Sequence, residues 1–118
     1  SPVSVWASEG TEWTVIGESD LEWRPNPLPR FIRLHPLERE DQLPETLGPV
    51  VRNLSSVALA GFENEKERAS IARVLSQLGA GRICGAGRLQ APAMDWYHDG
   101  LPLVLPLARF TGLEISLD

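Results

Sequence analysis

Residues 78–100 read LGAGRICGAGRLQAPAMDWYHDG, and two signals overlap there: a run of glycines that imitates a cofactor loop, and a Trp-Tyr-His-Asp-Gly cluster. A dinucleotide-binding fingerprint needs its glycines directly after a strand and opening a helix, so that backbone N–H groups and the helix N-terminus meet a pyrophosphate. Here the order is reversed. The segment before Gly79 reads as a helix, with Asn64 placed to cap it and Glu67 following as in a capping box; Ile71, Val74, Leu75 and Leu78 fall at i, i+3, i+4 and i+7. Gly79 is therefore a helix stop. Gly79, Gly81 and Gly85 also give the spacing GxGxxxG, and the strand-like Arg82-Ile83-Cys84 follows Gly81. These glycines read as a helix end and a strand exit, not as a phosphate loop.

Upstream, Ser56-Val57-Ala58-Leu59-Ala60 has no polar alternation, as expected of a strand covered on both faces. Glu38 to Leu54 reads as a helix interrupted or started near Pro44 and broken or restarted at Gly48-Pro49, and Phe31-Ile32-Arg33-Leu34 as a strand ending at Pro36. Strand, helix, strand, helix, strand from Phe31 to Gly85 is a βαβαβ order, which predicts an α/β fold with a parallel sheet and right-handed crossovers. Before it, Val3 and Val5 alternate ahead of Trp6, and Thr14-Val15-Ile16 lies between Gly10 and Gly17, so two short strands are expected. Arg24-Pro25-Asn26-Pro27-Leu28-Pro29 is an extended connector, because its prolines remove donors and fix φ. Leu101 to Phe110 is apolar but punctuated by Pro102 and Pro106, which predicts one short helix, and 112–118 reads as an extended tail. The chain thus divides into an N-terminal β segment with its connector, 1–29, and an α/β part, 30–118.

The 118 residues carry a formal net charge of −5 with basic residues scattered along the chain, which argues against nucleic acid and a polybasic membrane contact. No stretch approaches the roughly 18 apolar residues of a membrane span, and no signal peptide opens the chain. The single cysteine, Cys84, has no internal partner for a disulfide and suits a reducing compartment, so a soluble cytoplasmic protein is expected. The chain opens Ser1-Pro2 without an initiator Met, which fits a processed start, a trimmed product or a proteolytic fragment.

Among residues able to do chemistry, Cys84 sits between Ile83 and Gly85 in an apolar strand and reads as a small core residue rather than a nucleophile. His35 precedes Pro36 at a strand end. With two histidines and no cysteine beside either, no metal-ligand spacing exists, and GxSxG is absent. The acidic run Glu63 to Glu67 reads as the solvated start of a helix. His98-Asp99 is different, because it lies in a loop among Trp96, Tyr97 and Gly100, and loops carry function. Two readings stay open: Asp99 orients the His98 imidazole, or Asp99 caps a helix beginning at Gly100-Leu101 while Trp96 packs and His98 bonds the loop.

Ala80-Gly81-Arg82-Ile83-Cys84-Gly85-Ala86-Gly87-Arg88-Leu89-Gln90, then Pro92, then Trp96-Tyr97-His98-Asp99-Gly100, resembles the C-terminal signature of the LuxC-type acyl-CoA reductases. In that family a GA-x-R-[IV] strand leads to a G-x-[ML]-Q-x-P turn and a W-x-HDG loop. Leu47-Gly48-Pro49 through Arg52-Asn53-Leu54-Ser55-Ser56-Val57 is similar to the family's LGPYR-x-LQ-x-V segment. The resemblance spans about Phe31 to Phe110. It implies an aldehyde-dehydrogenase-like fold, an acyl-CoA or acyl-enzyme substrate, NADPH or NADH as hydride donor, and a cysteine that carries the acyl group as a thioester. Leu78-Gly79-Ala80-Gly81-Arg82-Ile83 is likewise similar to the last strand of the wider aldehyde dehydrogenase pattern, L-x-AGR-[VI]. Glu45-Thr46-Leu47-Gly48-Pro49-Val50 imitates that superfamily's E-x-F-G-P-V motif but stands after the Phe31 strand instead of before it. The motif's own place holds Pro25-Asn26-Pro27, so its ribose-binding glutamate is not carried over.

Two departures limit what the resemblance allows. Cys84 lies too late to be the acyl-carrying cysteine, and no Rossmann half is present. The expectation is a βαβαβ parallel-sheet half of such a catalytic domain: the C-terminal part of a reductase, inactive alone, with Trp96, His98, Asp99 and Gly100 forming one wall of the acyl or cofactor cleft. Its partners would be the rest of the parent enzyme and acyl-CoA, and the uncovered apolar surface would favour association into homo-oligomers. The alternative is a small non-catalytic α/β interaction module that docks through Trp6, Trp13 and Trp23.

Overall fold

The β-branched run Thr14-Val15-Ile16 forms the middle of a sheet, where such side chains suit the pleated surface. In the computed structural model, which describes residues 2–10, 12–27, 29–102, 105–109 and 111–112, the chain packs as two units, Ser1–Asn53 and Leu54–Asp118. In the first unit, β1 (Pro2–Ala7) pairs antiparallel with β2 (Thr14–Glu18) in the register Val5 to Ile16, with an irregularity between Pro2 and Ser4. Gly17 stands where an added Cβ would lie 3.3 Å from the Trp6 ring, so the indole covers the strand there. The proline connector then brings β3 (Phe31–Leu34) beside β2, parallel, with Val15 opposite Ile32. A 3₁₀ turn (Glu40–Gln42), the short helix α1 (Leu43–Leu47) and a second 3₁₀ turn (Gly48–Asn53) follow. Pro44 lies in the first turn of α1, where its missing N–H has no helical partner to lose, and the helix tightens at Gly48-Pro49.

In the second unit, β4 (Ser56–Leu59) and β5 (Arg82–Gly85) run parallel with Val57 opposite Ile83, joined by α2 (Glu65–Gln77) in a βαβ unit. Asn64 caps α2 by accepting from the Lys66 amide at 2.9 Å, and Glu65 and Glu67 lie at the positive end of its dipole. The helix stops as its glycine predicts. Gly79 has φ of +102°, and the amides of Gly79 and Ala80 return to the carbonyls of Ser76 (3.0 Å) and Leu75 (3.1 Å), a Schellman closure.

Among the described residues the fold is mixed α/β with two small sheets and two α-helices. The strands and helices expected from Phe31 to Gly85 form in their expected order, but they do not share one sheet. β3 belongs with β1 and β2, because the edge of β2 offers it a full set of backbone partners, while β4 and β5 pair with each other. Val57, Ala58 and Leu59 are only half-buried, not enclosed on both faces. Leu75, at 3% exposure, is the single buried apolar residue among the described residues. Val5, Trp6, Trp13, Trp23, Ile32 and Leu34 all remain exposed. The short helix expected after Gly100 is a single 3₁₀ turn, Leu105–Leu107. The extended tail expected over 112–118 lies, beyond Gly112, outside the described residues. Among the described residues no helix is long and apolar enough to cross a membrane.

Candidate functional site

The His-Asp-Gly loop is built by two successive left-handed residues, Asp99 (φ +51°) and Gly100 (φ +77°), which reverse the chain so that the Leu101 amide reaches the His98 carbonyl at 3.0 Å. Aspartate tolerates this conformation better than most side chains. Gly81 lets the loop seat against the sheet: a Cβ there would lie 3.1 Å from the Gly100 nitrogen, 3.3 Å from the Asp99 carbonyl carbon and 3.4 Å from the Ser55 oxygen. Ser55 and Gly81 immediately precede β4 and β5, so the loop rests at the amino ends of both strands. Asp99 caps no helix, since none starts at Gly100 or Leu101. A chain reversed through two left-handed residues cannot open one there.

Five side chains meet at this loop. The Ser55 hydroxyl donates to Asp99 Oδ1 (3.3 Å), and Asp99 Oδ2 lies 3.3 Å from His98 Nδ1. The Trp96 and His98 rings meet edge to face, with centroids 4.9 Å apart and planes at 70°. On the other side the Arg82 guanidinium stands 5.6 Å from the Trp96 centroid, while its two terminal nitrogens donate to the carbonyls of Leu89 (2.9 Å) and Arg88 (2.6 Å). Arg82 thereby pins both the turn after β5 and the indole. A carboxylate beside Nδ1 favours the proton on that nitrogen and leaves Nε2 to accept or donate a proton. The sequence brought Trp96, His98, Asp99 and Gly100 forward, and they do sit together. It assigned nothing to Ser55, 44 residues from Asp99, or to the Arg82 side chain. The one signal for Arg82 was an arginine opening an otherwise apolar strand, which must find partners for its donors.

Among the described residues, clefts also lie elsewhere. At the carboxyl ends of β4 and β5, Leu59, Ile83, Cys84 and Gly85 face Glu65, Arg68, Ala69 and Ala72 of α2 across a cleft of about 400 Å³. That is the end of a parallel sheet at which α/β proteins ordinarily bind ligands. Cys84 is half-buried there, and the nearby Arg68 is engaged by both carboxylate oxygens of Glu65, at 2.6 and 2.5 Å. In the first unit, Leu21, Glu22, Trp23, Gln42, Glu45, Thr46 and Pro49 line a cleft of about 510 Å³. Three of these belong to the Glu45-to-Val50 motif, which stands after β3.

The first unit also holds an ionic network. The Glu18 side chain, 1% exposed, is paired with Arg33, and Arg24 Nη1 lies 3.6 Å away. Arg24 grips Asp20 with both terminal nitrogens (2.8 and 3.1 Å) and reaches Glu22 at 2.7 Å. That guanidinium, helped by the Glu22 amide, lowers the Asp20 carboxyl to about 2, and Asp20 in turn raises Arg24. His35 Nδ1 donates to the Asp20 carbonyl at 2.7 Å. These contacts tie the chain leaving β2 to β3 and its exit.

The glycine-rich stretch does not fit a dinucleotide pyrophosphate. Gly79 closes a helix and Gly87 (φ +81°) sits in a turn followed by a further turn, with no helix N-terminus behind it. The amides of Ala86, Arg88 and Ala91 are already donated to the carbonyls of Leu59, Gly85 and Arg88. Among the described residues no group of three or more His, Cys, Asp or Glu side chains could hold a metal ion.

The second unit is thus a parallel βαβ unit with an imidazole and a carboxylate side by side at the amino ends of its strands. The family model described as acyl-CoA reductase (LuxC) matches residues 2–112, and the chain belongs to that family. No curated protein and no solved structure matches it.

Proposed function

We propose that this chain is the C-terminal part of the catalytic domain of an acyl-CoA reductase with an aldehyde-dehydrogenase-like fold, which converts an acyl thioester to an aldehyde with NADPH or NADH. The observation that carries this reading is the family match over residues 2–112, nearly the whole chain. A thin core among the described residues supports it, since Leu75 is the single buried apolar residue there and many large apolar side chains stay exposed. Trp96, His98, Asp99 and Gly100 form one wall of the acyl or cofactor cleft. The phosphates of the nicotinamide cofactor, having no cradle here, are held by other residues of the parent enzyme, as is the acyl-carrying thiol.

The chain alone therefore reduces no acyl-CoA, and the parent enzyme containing it does. In that enzyme His98→Ala and Asp99→Asn each lower kcat/KM by roughly 10²-fold, the size of a lost proton-transfer group. Aldehyde formation followed with acyl-CoA and reduced nicotinamide tests this, and unchanged kcat/KM in both variants would leave the loop a structural role only. The exposure of Trp6, Trp13 and Trp23 favours a second reading, a non-catalytic docking module. A parent protein that binds a partner through these tryptophans and reduces no thioester would support it instead.

A further inference from the structure

We infer that Ser55 is a positioning residue for His98, acting through Asp99, an inference that rests on the acid–base role proposed for that loop. Asp99 and His98 lie on a surface turn, with side chains 66% and 59% exposed, where a carboxylate beside an imidazole would ordinarily swing free. Ser55 removes that freedom. Its backbone carbonyl accepts from the Arg82 amide at 3.0 Å, so it is anchored to both strands, and its hydroxyl donates to Asp99 Oδ1. With one oxygen held by Ser55, the other faces His98 Nδ1 at 3.3 Å. The close approach of Gly81 to Gly100 holds the loop backbone at the height this bond requires.

The consequence is a tautomer preference. The Asp99 carboxylate, 3.3 Å from Nδ1, favours the proton of the neutral imidazole there, which leaves Nε2 its lone pair. The Trp96 ring packs edge to face with the imidazole, and the Arg82 guanidinium lies 5.6 Å from the Trp96 centroid. Among the described residues, Asp99 is the charged group in direct contact with His98, and Arg82 lies against the indole that touches it. In a thioester exchange Nε2 takes the proton from an incoming thiol as its sulfur bonds to the acyl carbon; the old C–S bond then breaks with its electron pair on the departing sulfur, to which Nε2 returns the proton. Ser55 neither titrates nor touches substrate; its hydroxyl decides which nitrogen is available.

Long-range ¹H–¹⁵N correlation spectra of the full chain at about pH 8.5, where imidazole is ordinarily neutral, read the tautomer of each of its two histidines. The expected result is Nδ1–H for His98 in the native chain and in Ser55→Thr, and a shift to predominantly Nε2–H in Ser55→Ala. His35, whose Nδ1 donates to the Asp20 carbonyl, is the internal reference and keeps its signals in every variant. An unchanged His98 tautomer in Ser55→Ala overturns the inference. In the parent reductase, Ser55→Ala lowers kcat/KM about tenfold and Ser55→Thr restores it; an equal kcat/KM in all three proteins also overturns it. A native parent enzyme without reductase activity refutes the proposed function instead, and the spectra still decide the role of Ser55.

Discussion

Arg33→Met removes the guanidinium that faces Glu18 inside the three-stranded sheet. The Glu18 side chain is 1% exposed, so water cannot replace the lost partner. Its other cation, Arg24, stands 3.6 Å away and is already committed to Asp20 and Glu22. Breaking a buried pair from one side costs about 3–5 kcal/mol, because the remaining charge is left uncompensated. Against this, Arg33 Nε is buried without a hydrogen-bond partner. Its removal returns about 1–3 kcal/mol of desolvation, and loss of the guanidinium's contact with the Phe31 ring, 5.2 Å from its centroid, takes back about 0.5 kcal/mol. The net loss is roughly 2.5 kcal/mol, which at a urea slope of about 2 kcal/mol/M lowers the unfolding midpoint by roughly 1.2 M. Trp6, Trp13 and Trp23 all lie in this unit, so tryptophan fluorescence reports the transition. The double variant Glu18→Leu/Arg33→Met recovers most of the loss, since an apolar pair of similar volume replaces a buried ion pair at little cost. A single variant within about 0.5 kcal/mol of the native chain, the range of ordinary surface substitutions, would refute the reasoning, as would a double variant weaker than the single.

Leu75→Ala removes the one buried apolar residue among the described residues, and a urea titration followed by far-UV circular dichroism, which reports α2, should show a loss of about 2–3 kcal/mol. The cost falls at the low end of the usual range because the half-buried neighbours can settle into the space. Asp20 titrates at about 2 in the folded chain against an ordinary 3.8, so its bond to Arg24 stabilises the fold above pH 3.8 and is lost as the pH falls through about 2. Asp20→Asn should therefore lower the urea midpoint near neutrality, with the gap to the native chain closing near pH 2.

Local signals were the legible ones. Gly79 stops α2 and Asn64 starts it because both effects are made within a few residues of the helix end. The breaks at the connector prolines and at Gly48-Pro49 are equally local. The family, too, was legible, because the Arg82-to-Gly100 stretch is contiguous. Sheet membership was not. The run Phe31 to Leu34 carries hydrophobic residues whichever strand it joins, and the order of elements before and after it fitted a single parallel sheet. Only the free edge of β2 decided otherwise.

The site divides along the same line. The sequence by itself determined that Trp96, His98, Asp99 and Gly100 form a loop with acid–base side chains, because those residues are neighbours in the chain. The tertiary structure alone decided that Asp99 turns left-handed instead of capping a helix, that Gly81 admits the loop, and that Ser55 and Arg82 brace it. The physical reason is that a hydrogen bond between residues 44 apart leaves no periodic trace in either segment. It exists only once β4 and β5 lie side by side and bring their amino ends beneath the same turn.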